Sequence, residues 1–277
     1  MESQAKSRDY IEMELLLEAI YQMYGYDFRQ YRKAHLKRRI EHRMALSGLE
    51  SISTMIHKVL YDESFFKTLL FDFSINVTEM FRDPEFYKYV RESIIPRLKT
   101  YPFIKVWHAG CSTGEEVYSM AILFKEEGLL SRTQFYATDF NNNVIAKAAE
   151  GVFNMEKLRD YANNYKDSGG KESFSEYFST GYDVAMIEKS LKENIVFADH
   201  NLVTDGVFGE MHLVVCRNVL IYFNRKLQNK VFKLFHDSLV PGGFLCLGSK
   251  ESIVSIENDK LFTDMDIRLK VYKKAIL

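Results

Sequence analysis

From about residue 103 onward, short apolar segments alternate with longer amphipathic ones. The apolar segments have the length of strands, and the longer ones carry apolar residues at helical spacing. Such alternation predicts an α/β fold: a largely parallel sheet covered by helices on both faces. Ligands of these sheets bind outside the carboxyl ends of the strands. The predicted strands are 105–109, 134–138, 195–198, 212–216, 244–247 and 268–272, and the predicted helices are 115–127, 142–150 and 225–239.

The preceding part of the chain is predicted to be helical throughout. Apolar residues recur at three- and four-residue steps over 11–23, and Leu36, Ile40 and Met44 form a second stripe. Further helices are predicted over 53–62, 63–71 and 84–95.

Two prolines, Pro96 and Pro102, bracket a short connection, where we place the domain boundary. The prediction is an all-helical N-terminal domain over 1–96 and an α/β domain over 97–277. Within the second domain, residues 173–190 depart from the alternation and suggest short strands around Gly181. We predict a small antiparallel β insertion there.

The composition excludes several classes of protein. The 277 residues carry a formal net charge of −1, so nothing global points to nucleic acid or to an anionic membrane. Apolar runs are too short to span a bilayer, and the N-terminus has no apolar signal core. Three cysteines without CxxC spacing are typical of a reducing cytoplasm, and seven scattered histidines predict no metal site. We therefore expect a cytoplasmic protein without direct membrane insertion.

The first candidate ligand site is the turn between the first predicted strand and its helix. It contains Gly110 and Gly114, and glycine permits a close approach of backbone to a bulky ligand. Glu115 and Glu116 follow at the start of the helix, where they would repel a pyrophosphate and suit a cationic ligand. An ordinary strand–helix turn is the alternative interpretation.

Two further strands end in polar residues. Asp139 follows the second strand, where a carboxylate can accept both hydroxyl protons of an adenosine ribose. Its alternative role is that of an N-cap for the next helix. The strand 212–216 brings Arg217, Asn218 and Tyr222 to the same edge of the sheet. The alternative is a surface ion pair for Arg217 and a rim aromatic for Tyr222.

Four blocks of sequence, taken together, resemble the CheR-type chemotaxis receptor methyltransferases across essentially the whole chain. They are Asn-Val-Thr-Glu-Met-Phe-Arg-Asp at 76–83, Cys-Ser-Thr-Gly-Glu-Glu at 111–116, Ala-Thr-Asp at 137–139 and Cys-Arg-Asn-Val-Leu-Ile-Tyr-Phe at 216–223. The resemblance implies a Rossmann-like S-adenosylmethionine-dependent methyltransferase sheet with a β insertion, preceded by a helical domain. It also implies methylation of glutamate side chains on the cytoplasmic helical bundle of chemoreceptors.

The resemblance assigns roles to individual residues. Arg82 and Tyr222 correspond to residues that position the accepting carboxylate. Together with Gly110 from the turn described above, the expected cofactor-binding residues are Asn76, Thr78, Arg82, Glu116, Asp139, Asn201, Leu202, Arg217 and Asn218. One departure is the run Gly248-Ser249-Lys250-Glu251, where the family often has Gly-His-Ser-Glu, so any role of that histidine is absent here.

These residue types suit methyl transfer to a carboxylate. A glutamate acceptor is already ionised near neutral pH because its reference pKa is about 4.3, so no general base is needed. Arg82 can bind a carboxylate through two parallel hydrogen bonds, and Tyr222 can donate another. The alternatives are a cofactor-binding regulatory module, or a methyltransferase for another signalling protein or a small molecule.

A basic helix precedes these motifs. Between Arg29 and Arg43 lie seven Lys or Arg residues against one acid, Glu41. Arg32, Arg39 and Arg43 fall on one side of this helix, and a solvated charged face is the alternative interpretation. In the family the corresponding helix meets the acidic receptor bundle, so we predict that these arginines bind the partner. No nucleic-acid partner is expected, and the protein is expected to be a monomer.

Overall fold

The structure, a computed structural model, describes residues 7–74, 78–181, 183–253 and 260–275. The chain forms two units: residues 1–75 with 222–228, and residues 76–221 with 229–277. The division after residue 75 lies before the boundary predicted at residue 96. The physical reason is that Val90, Ile94 and Leu98 are buried in the same hydrophobic cluster as the strand residues Val106 and Phe135.

Over its described residues 7–74, the first unit, called here the helical unit, forms four helices. They are α1 (Arg8–Tyr24), α2 (Lys33–Ser47), α3 (Ile52–Tyr61) and α4 (Glu63–Phe73). Ser7, Ser51 and Asp62 cap α1, α3 and α4 by accepting a hydrogen bond from a backbone N–H three residues further on. Gly25 and Gly48 end α1 and α2 in the left-handed conformation that glycine adopts without strain.

The buried face of α1 is narrower than its sequence suggests. Leu16, Leu17 and Ile20 are fully buried, whereas Leu15 and Met23 stay more than half exposed. Both sets occur at helical spacing, so periodicity alone does not distinguish them.

The second unit, called here the sheet unit, is built on a seven-stranded sheet of order β6-β2-β1-β7-β8-β10-β9. The first five of these strands are parallel, and β10 and β9 pair antiparallel at one edge. The predicted Rossmann-like sheet is therefore confirmed. Its strands are β1 (Ile104–Ala109), β2 (Thr133–Asp139), β6 (Ile195–Asp199), β7 (Met211–Cys216), β8 (Leu239–Leu247), β9 (Phe262–Asp266) and β10 (Val271–Lys274).

Helices of the sheet unit connect these strands. Pro96 does not interrupt its helix, because it lies in the first turn of α6, where proline is tolerated. A π-helical turn, Val90–Ile94, joins α5 to α6. The helices are α5 (Pro84–Tyr89), α6 (Ile95–Leu98), α7 (Glu115–Glu126), α8 (Asn142–Glu150), α9 (Met155–Asp167), α10 (Lys189–Lys192) and α11 (Arg225–Ser238), whose first residues belong to the segment 222–228.

A separate antiparallel sheet of three strands confirms the predicted β insertion. It consists of β3 (Val152–Asn154), β4 (Phe178–Thr180) and β5 (Val184–Ile187), with β5 in the centre. Only β4 and β5 lie within the predicted limits 173–190, since β3 is contributed by the chain before α9. Across the described ranges, no helix is both long and apolar enough to cross a membrane.

Candidate active site

The turn after β1 is held by backbone hydrogen bonds to the next strand. The N–H groups of Gly110 and Cys111 both donate to the carbonyl oxygen of Thr138, at 2.8 and 2.9 Å. Gly110 has φ +82°, and a Cβ at this position would lie 2.5 Å from Cγ2 of Val219. Glycine is therefore required here because the side chain of Val219 occupies the space above the turn.

Asp139 lies at the carboxyl end of β2 and is almost completely buried. Its Oδ2 accepts from the N–H of Ser112 at 3.0 Å, and its Oδ1 accepts from the N–H of Asn141 at 3.1 Å. Burial raises the pKa of this carboxyl, and the backbone donors only partly offset the effect. The N-cap of α8 is Asn141, whose side chain accepts from the N–H of Asn143.

Glu116 and Arg217 belong to a buried cluster of charged side chains. Glu116 Oε2 lies 3.1 Å from Nη1 of Arg217, and Glu116 Oε1 lies 3.3 Å from Nδ1 of His108. Nη2 of Arg217 pairs with Asp83. Burial opposes ionisation of Glu116, but His108 and Arg217 together hold the pKa of its carboxyl below the usual range.

Arg217 also connects the end of β7 to the segment that carries Arg82. Its Nη1 donates to the carbonyl oxygen of Arg82 at 3.2 Å, and its guanidinium lies 4.3 Å from the centre of the Phe86 ring. The side chain of Arg217 is only 2% exposed. The guanidinium therefore fixes neighbouring chain segments in the described structure.

The segment before α5 is strained and anchored. Phe81 and Asp83 have φ of +53° and +59°, values that non-glycine residues adopt rarely. The N–H of Phe81 donates to Oγ of Ser119 at 2.9 Å, and Asn164 donates to the carbonyl oxygen of Met80 at 3.1 Å.

The predicted residues of this segment are only partly described. Thr78 and Arg82 are partly exposed. Asn76, the first residue of the predicted block, lies outside the described residues.

Glu251 is a site residue that the sequence reasoning missed. It is buried, and its carboxylate accepts from the N–H groups of Asn218 at 2.9 Å, Gly248 at 2.6 Å and Ile221 at 3.2 Å. Asn218 has φ +62°, a strained value, so the carboxylate of Glu251 holds a strained loop in place by accepting these hydrogen bonds. The signal available in the sequence is a glutamate that follows a glycine at the end of a strand.

The pair after β6, Asn201 and Leu202, forms a turn. Oδ1 of Asn201 accepts from the N–H of Val203 at 3.0 Å, and its own N–H donates to Asp205 at 2.8 Å. Leu202 is buried. These contacts account for the turn and do not test the predicted role of the pair in binding the cofactor.

Tyr222 belongs to the helical unit. Its carbonyl oxygen accepts from the N–H of Arg32 at 2.8 Å, and its ring meets the His35 ring edge to face with 5.5 Å between centroids. The remaining described candidates for the cofactor and acceptor belong to the sheet unit.

The three arginines predicted to bind a partner each contact their own chain. Nε of Arg32 donates to the carbonyl oxygen of Phe223 at 3.2 Å. Arg39 donates to the carbonyl oxygen of Asp72, and Nη2 of Arg43 donates to its carboxylate at 2.8 Å. These contacts leave partner binding by the arginines a prediction, and they show that part of the basic stripe faces inward.

Backbone strain is concentrated around the predicted site. In the described ranges, five non-glycine residues have positive φ, and four of them, Phe81, Asp83, Ser112 and Asn218, are predicted site residues or lie within three positions of one. Such strain persists only where the surroundings enforce it and is common at functional sites. Within those same ranges, no group of three or more His, Cys, Asp or Glu side chains could hold a metal ion.

Comparisons with known proteins agree with this architecture. Residues 76–271 match the family model described as CheR methyltransferase, SAM binding domain, and residues 11–74 match CheR methyltransferase, all-alpha domain. A Pseudomonas putida protein that carries the name methyltransferase Cher3 is 52% identical over 88% of this chain and 89% of its own length.

More distant relatives carry a more specific name. The Chemotaxis protein methyltransferase of Listeria innocua is 28% identical over 83% of this chain and 86% of its own length. Chemotaxis protein methyltransferase 1 of Pseudomonas aeruginosa is 24% identical over 78% and 80%. With both family models matched in order, the chain belongs to the CheR methyltransferase family and is an S-adenosylmethionine-dependent methyltransferase.

Proposed function

We propose that this enzyme transfers a methyl group from S-adenosylmethionine to glutamate side-chain carboxylates of chemoreceptors, giving glutamate methyl esters. The observation that carries this proposal is the anchoring of the turn that bears Arg82. Met80, Phe81 and Arg82 are each held through their backbone by a separate side chain. An arginine whose backbone is fixed in this way suits the selection of a carboxylate. The relatives named chemotaxis protein methyltransferases support the same substrate class.

The described residues fit the cofactor. The carboxylate of Asp139 accepts hydrogen bonds from the backbone N–H groups of Ser112 and Asn141, and we assign its remaining acceptor capacity to the ribose hydroxyls. Glu116 is ionised and suits the cationic amino group of a methionine moiety. We assign the rest of the binding surface to Asn76, Thr78, Arg82, Gly110, Asn201, Leu202, Arg217 and Asn218.

When bound, S-adenosylmethionine supplies a methyl group, which leaves the sulfonium sulfur for a carboxylate oxygen and leaves both groups uncharged. Arg82 holds the acceptor carboxylate in its ionised form, since its charge favours the anion. The hydroxyl of Tyr222 donates one further hydrogen bond and fixes the direction of attack. No proton moves in this step, so the residues of the chain need only align the two groups.

The proposed partner is the acidic helical bundle of a cytoplasmic receptor domain. Helix α2 is rich in basic residues, and Arg32, Lys37 and Arg38 on and just before it are exposed. Charges at the rim of an interface mainly raise the association rate. We therefore expect receptor methylation to decline as salt is added, because screening shortens electrostatic attraction to about 8 Å at physiological ionic strength.

The substrate can be tested directly with tritiated S-adenosylmethionine and membranes of the source organism. We expect a labelled band of receptor size that releases tritiated methanol in base, the behaviour of a methyl ester. A label that resists base, or one that appears only in small molecules, would support the alternative substrates. Cofactor binding without any transfer would support a regulatory module.

The role of Tyr222 can be tested by Tyr222→Phe. We expect a lower kcat for receptor methylation with unchanged affinity for S-adenosylhomocysteine, because the proposal assigns the hydroxyl to the acceptor and not to the cofactor. Equal kcat for the two proteins would remove the hydroxyl from the reaction.

A further inference from the structure

The segment that carries Tyr222 is bound along the start of α2. Tyr31 and Phe223 form an antiparallel bridge, and their rings pack with 4.9 Å between centroids. On either side of this bridge, the N–H of Asn224 donates to the carbonyl oxygen of Gln30 at 2.9 Å, and the N–H of Arg32 donates to that of Tyr222. The backbone at Tyr222 therefore has its position set by the residues that lead into α2.

The side chain of Tyr222 is also met by α2. The rings of His35 and Tyr222 lie nearly perpendicular to each other, at an interplanar angle of 86°, an arrangement that aromatic pairs favour. His35 is half-buried, so part of its surface is covered by these neighbours. An aromatic ring at position 35 thus restricts the rotation of the Tyr222 ring.

Arg39 lies one helical turn after His35 and on the same face of α2. One end of its guanidinium is anchored to the carbonyl oxygen of Asp72. Its Nε is buried and finds no hydrogen-bond partner among the described residues. Burial lowers the pKa of Arg39, and the nearby oxygen of Tyr222 works against that effect. An anchored, partly buried cation of this kind is poorly suited to attract a distant partner.

We infer that His35 and Arg39 are positioning residues for Tyr222, so that the helix proposed to meet the receptor also orients the tyrosine that binds the acceptor. The inference rests on the proposed role of Tyr222. It gives Arg39 a different function from an exposed docking charge, and the two functions differ in the kinetic constant that they control.

The chain offers a matched control for Arg39. Arg38 is the adjacent residue of α2, has the same side chain and is exposed. Replacing either residue by alanine removes one positive charge from the same helix. Only at Arg39 does the replacement also remove a partly buried side chain from the face of α2 that carries His35.

The experiment compares the steady-state kinetics of Arg38→Ala and Arg39→Ala at varied receptor concentration. We expect Arg39→Ala to lower kcat about fivefold or more with little change in receptor KM, the pattern for a lost transition-state interaction. Arg38→Ala should keep kcat and raise KM. A raised KM with normal kcat for Arg39→Ala would overturn the inference and make Arg39 a docking residue. Arg39→Gln, which keeps uncharged donors, serves if the alanine variant does not fold.

His35 is tested by a pair of variants. His35→Ala should lower kcat, and His35→Phe should restore most of it because phenylalanine keeps an aromatic ring against Tyr222. Equal kcat for wild type and His35→Ala would contradict the positioning role. In a Tyr222→Phe background, the loss caused by His35→Ala should become much smaller, since the hydroxyl that it positions is already absent.

A measurement without substrate separates this inference from the proposed function. With fluorotyrosine incorporated throughout the protein, the fluorine resonance of Tyr222 is identified by its absence in Tyr222→Phe. We expect this resonance to shift in His35→Ala and Arg39→Ala and to stay in place in Arg38→Ala. Shifts without receptor methylation by the wild type would reject the proposed substrate and keep the positioning. Unshifted resonances would reject the positioning, whatever the substrate.

Discussion

Arg217 in the sheet unit and Arg43 in the helical unit both bind carboxylates of their own unit, but at different depths. The side chain of Arg217 is 2% exposed and lies between Glu116 and Asp83, whose side chains are 18% and 43% exposed. The side chains of Arg43 and its partner Asp72 are 17% and 14% exposed. Water can therefore still reach the cation of the second pair, whereas the guanidinium of Arg217 depends on its protein partners.

The two arginines should differ in how much stability the protein loses when each is removed. A buried ion loses most of its hydration, so removing one partner leaves an uncompensated charge. A pair that water reaches gains little and loses little when it is broken. We therefore expect the fold to depend more on Arg217 at the edge of the sheet than on Arg43 of α2.

The largest effect is expected for Arg217→Ala. Glu116 and Asp83 would lose their cation. Glu116 is largely buried, whereas Asp83 is 43% exposed and would be solvated, so we expect a loss near the lower end of the about 3–5 kcal/mol of the free energy of unfolding that breaking a buried pair costs. Urea denaturation followed by circular dichroism measures this change. A loss below about 1 kcal/mol would show that the cluster is solvated, and the contrast between the two units would then fail.

The second prediction concerns Asp139→Ala, which should weaken binding of S-adenosylhomocysteine by about 1–3 kcal/mol because hydroxyl groups of the ligand would be left unpaired. The N–H of Ser112 would also lose its acceptor, so the turn after β1 should loosen. Titration calorimetry gives the affinity. The variant must unfold cooperatively, and unchanged affinity in such a protein would place Asp139 outside the cofactor site.

The two regions also differ in how far the sequence predicts them. Strand–turn–helix boundaries of the sheet unit follow from local patterns: α7 and α8 begin at the predicted residues, and β1, β2, β6 and β7 lie within one residue of their predicted limits. Asp139 and Glu116 were recognised because each follows a strand in the chain. In each case the carboxylate lies in an element that the local sequence pattern predicts: Asp139 ends β2, and Glu116 lies in the first turn of α7.

Partners that are distant in sequence were not predictable in this way. Asp72 binds Arg39 and Arg43 from another helix, and nothing in the sequence of α2 marks its arginines as inward-facing. Glu251 reaches back to Asn218 across β8, so its role depends on the register of two strands. The domain boundary at residue 96 followed from prolines, whereas side-chain packing decides which unit a helix joins.

The third prediction is the counterpart of the first. Arg43→Ala should reduce the free energy of unfolding by at most about 1 kcal/mol, since the pair with Asp72 is accessible to water. High salt should reduce the difference in the free energy of unfolding between Arg43→Ala and wild type. The corresponding difference for Arg217→Ala should stay nearly unchanged. A loss of stability as large as that of Arg217→Ala would mean that Arg43 of α2 is as essential to the fold as Arg217 at the edge of the sheet.

The smallest effect is expected from the titration of His35. Burial, together with the positive charges of Arg32, Arg38 and Arg39, lowers the pKa of His35 below its ordinary value of about 6.5, and Tyr222 is the aromatic group that faces it. Because the unfolded chain then binds the proton more readily, stability is complete well above this value and declines as the pH falls through about 6.5. His35→Phe lacks this titrating group. As the pH falls from about 7.5 to about 5.5, the unfolding midpoint of wild type should therefore decrease relative to that of His35→Phe. An increase of the wild-type midpoint relative to that of the variant over this range would mean that a carboxylate faces His35. The arginines of α2 would then not be its main charged neighbours.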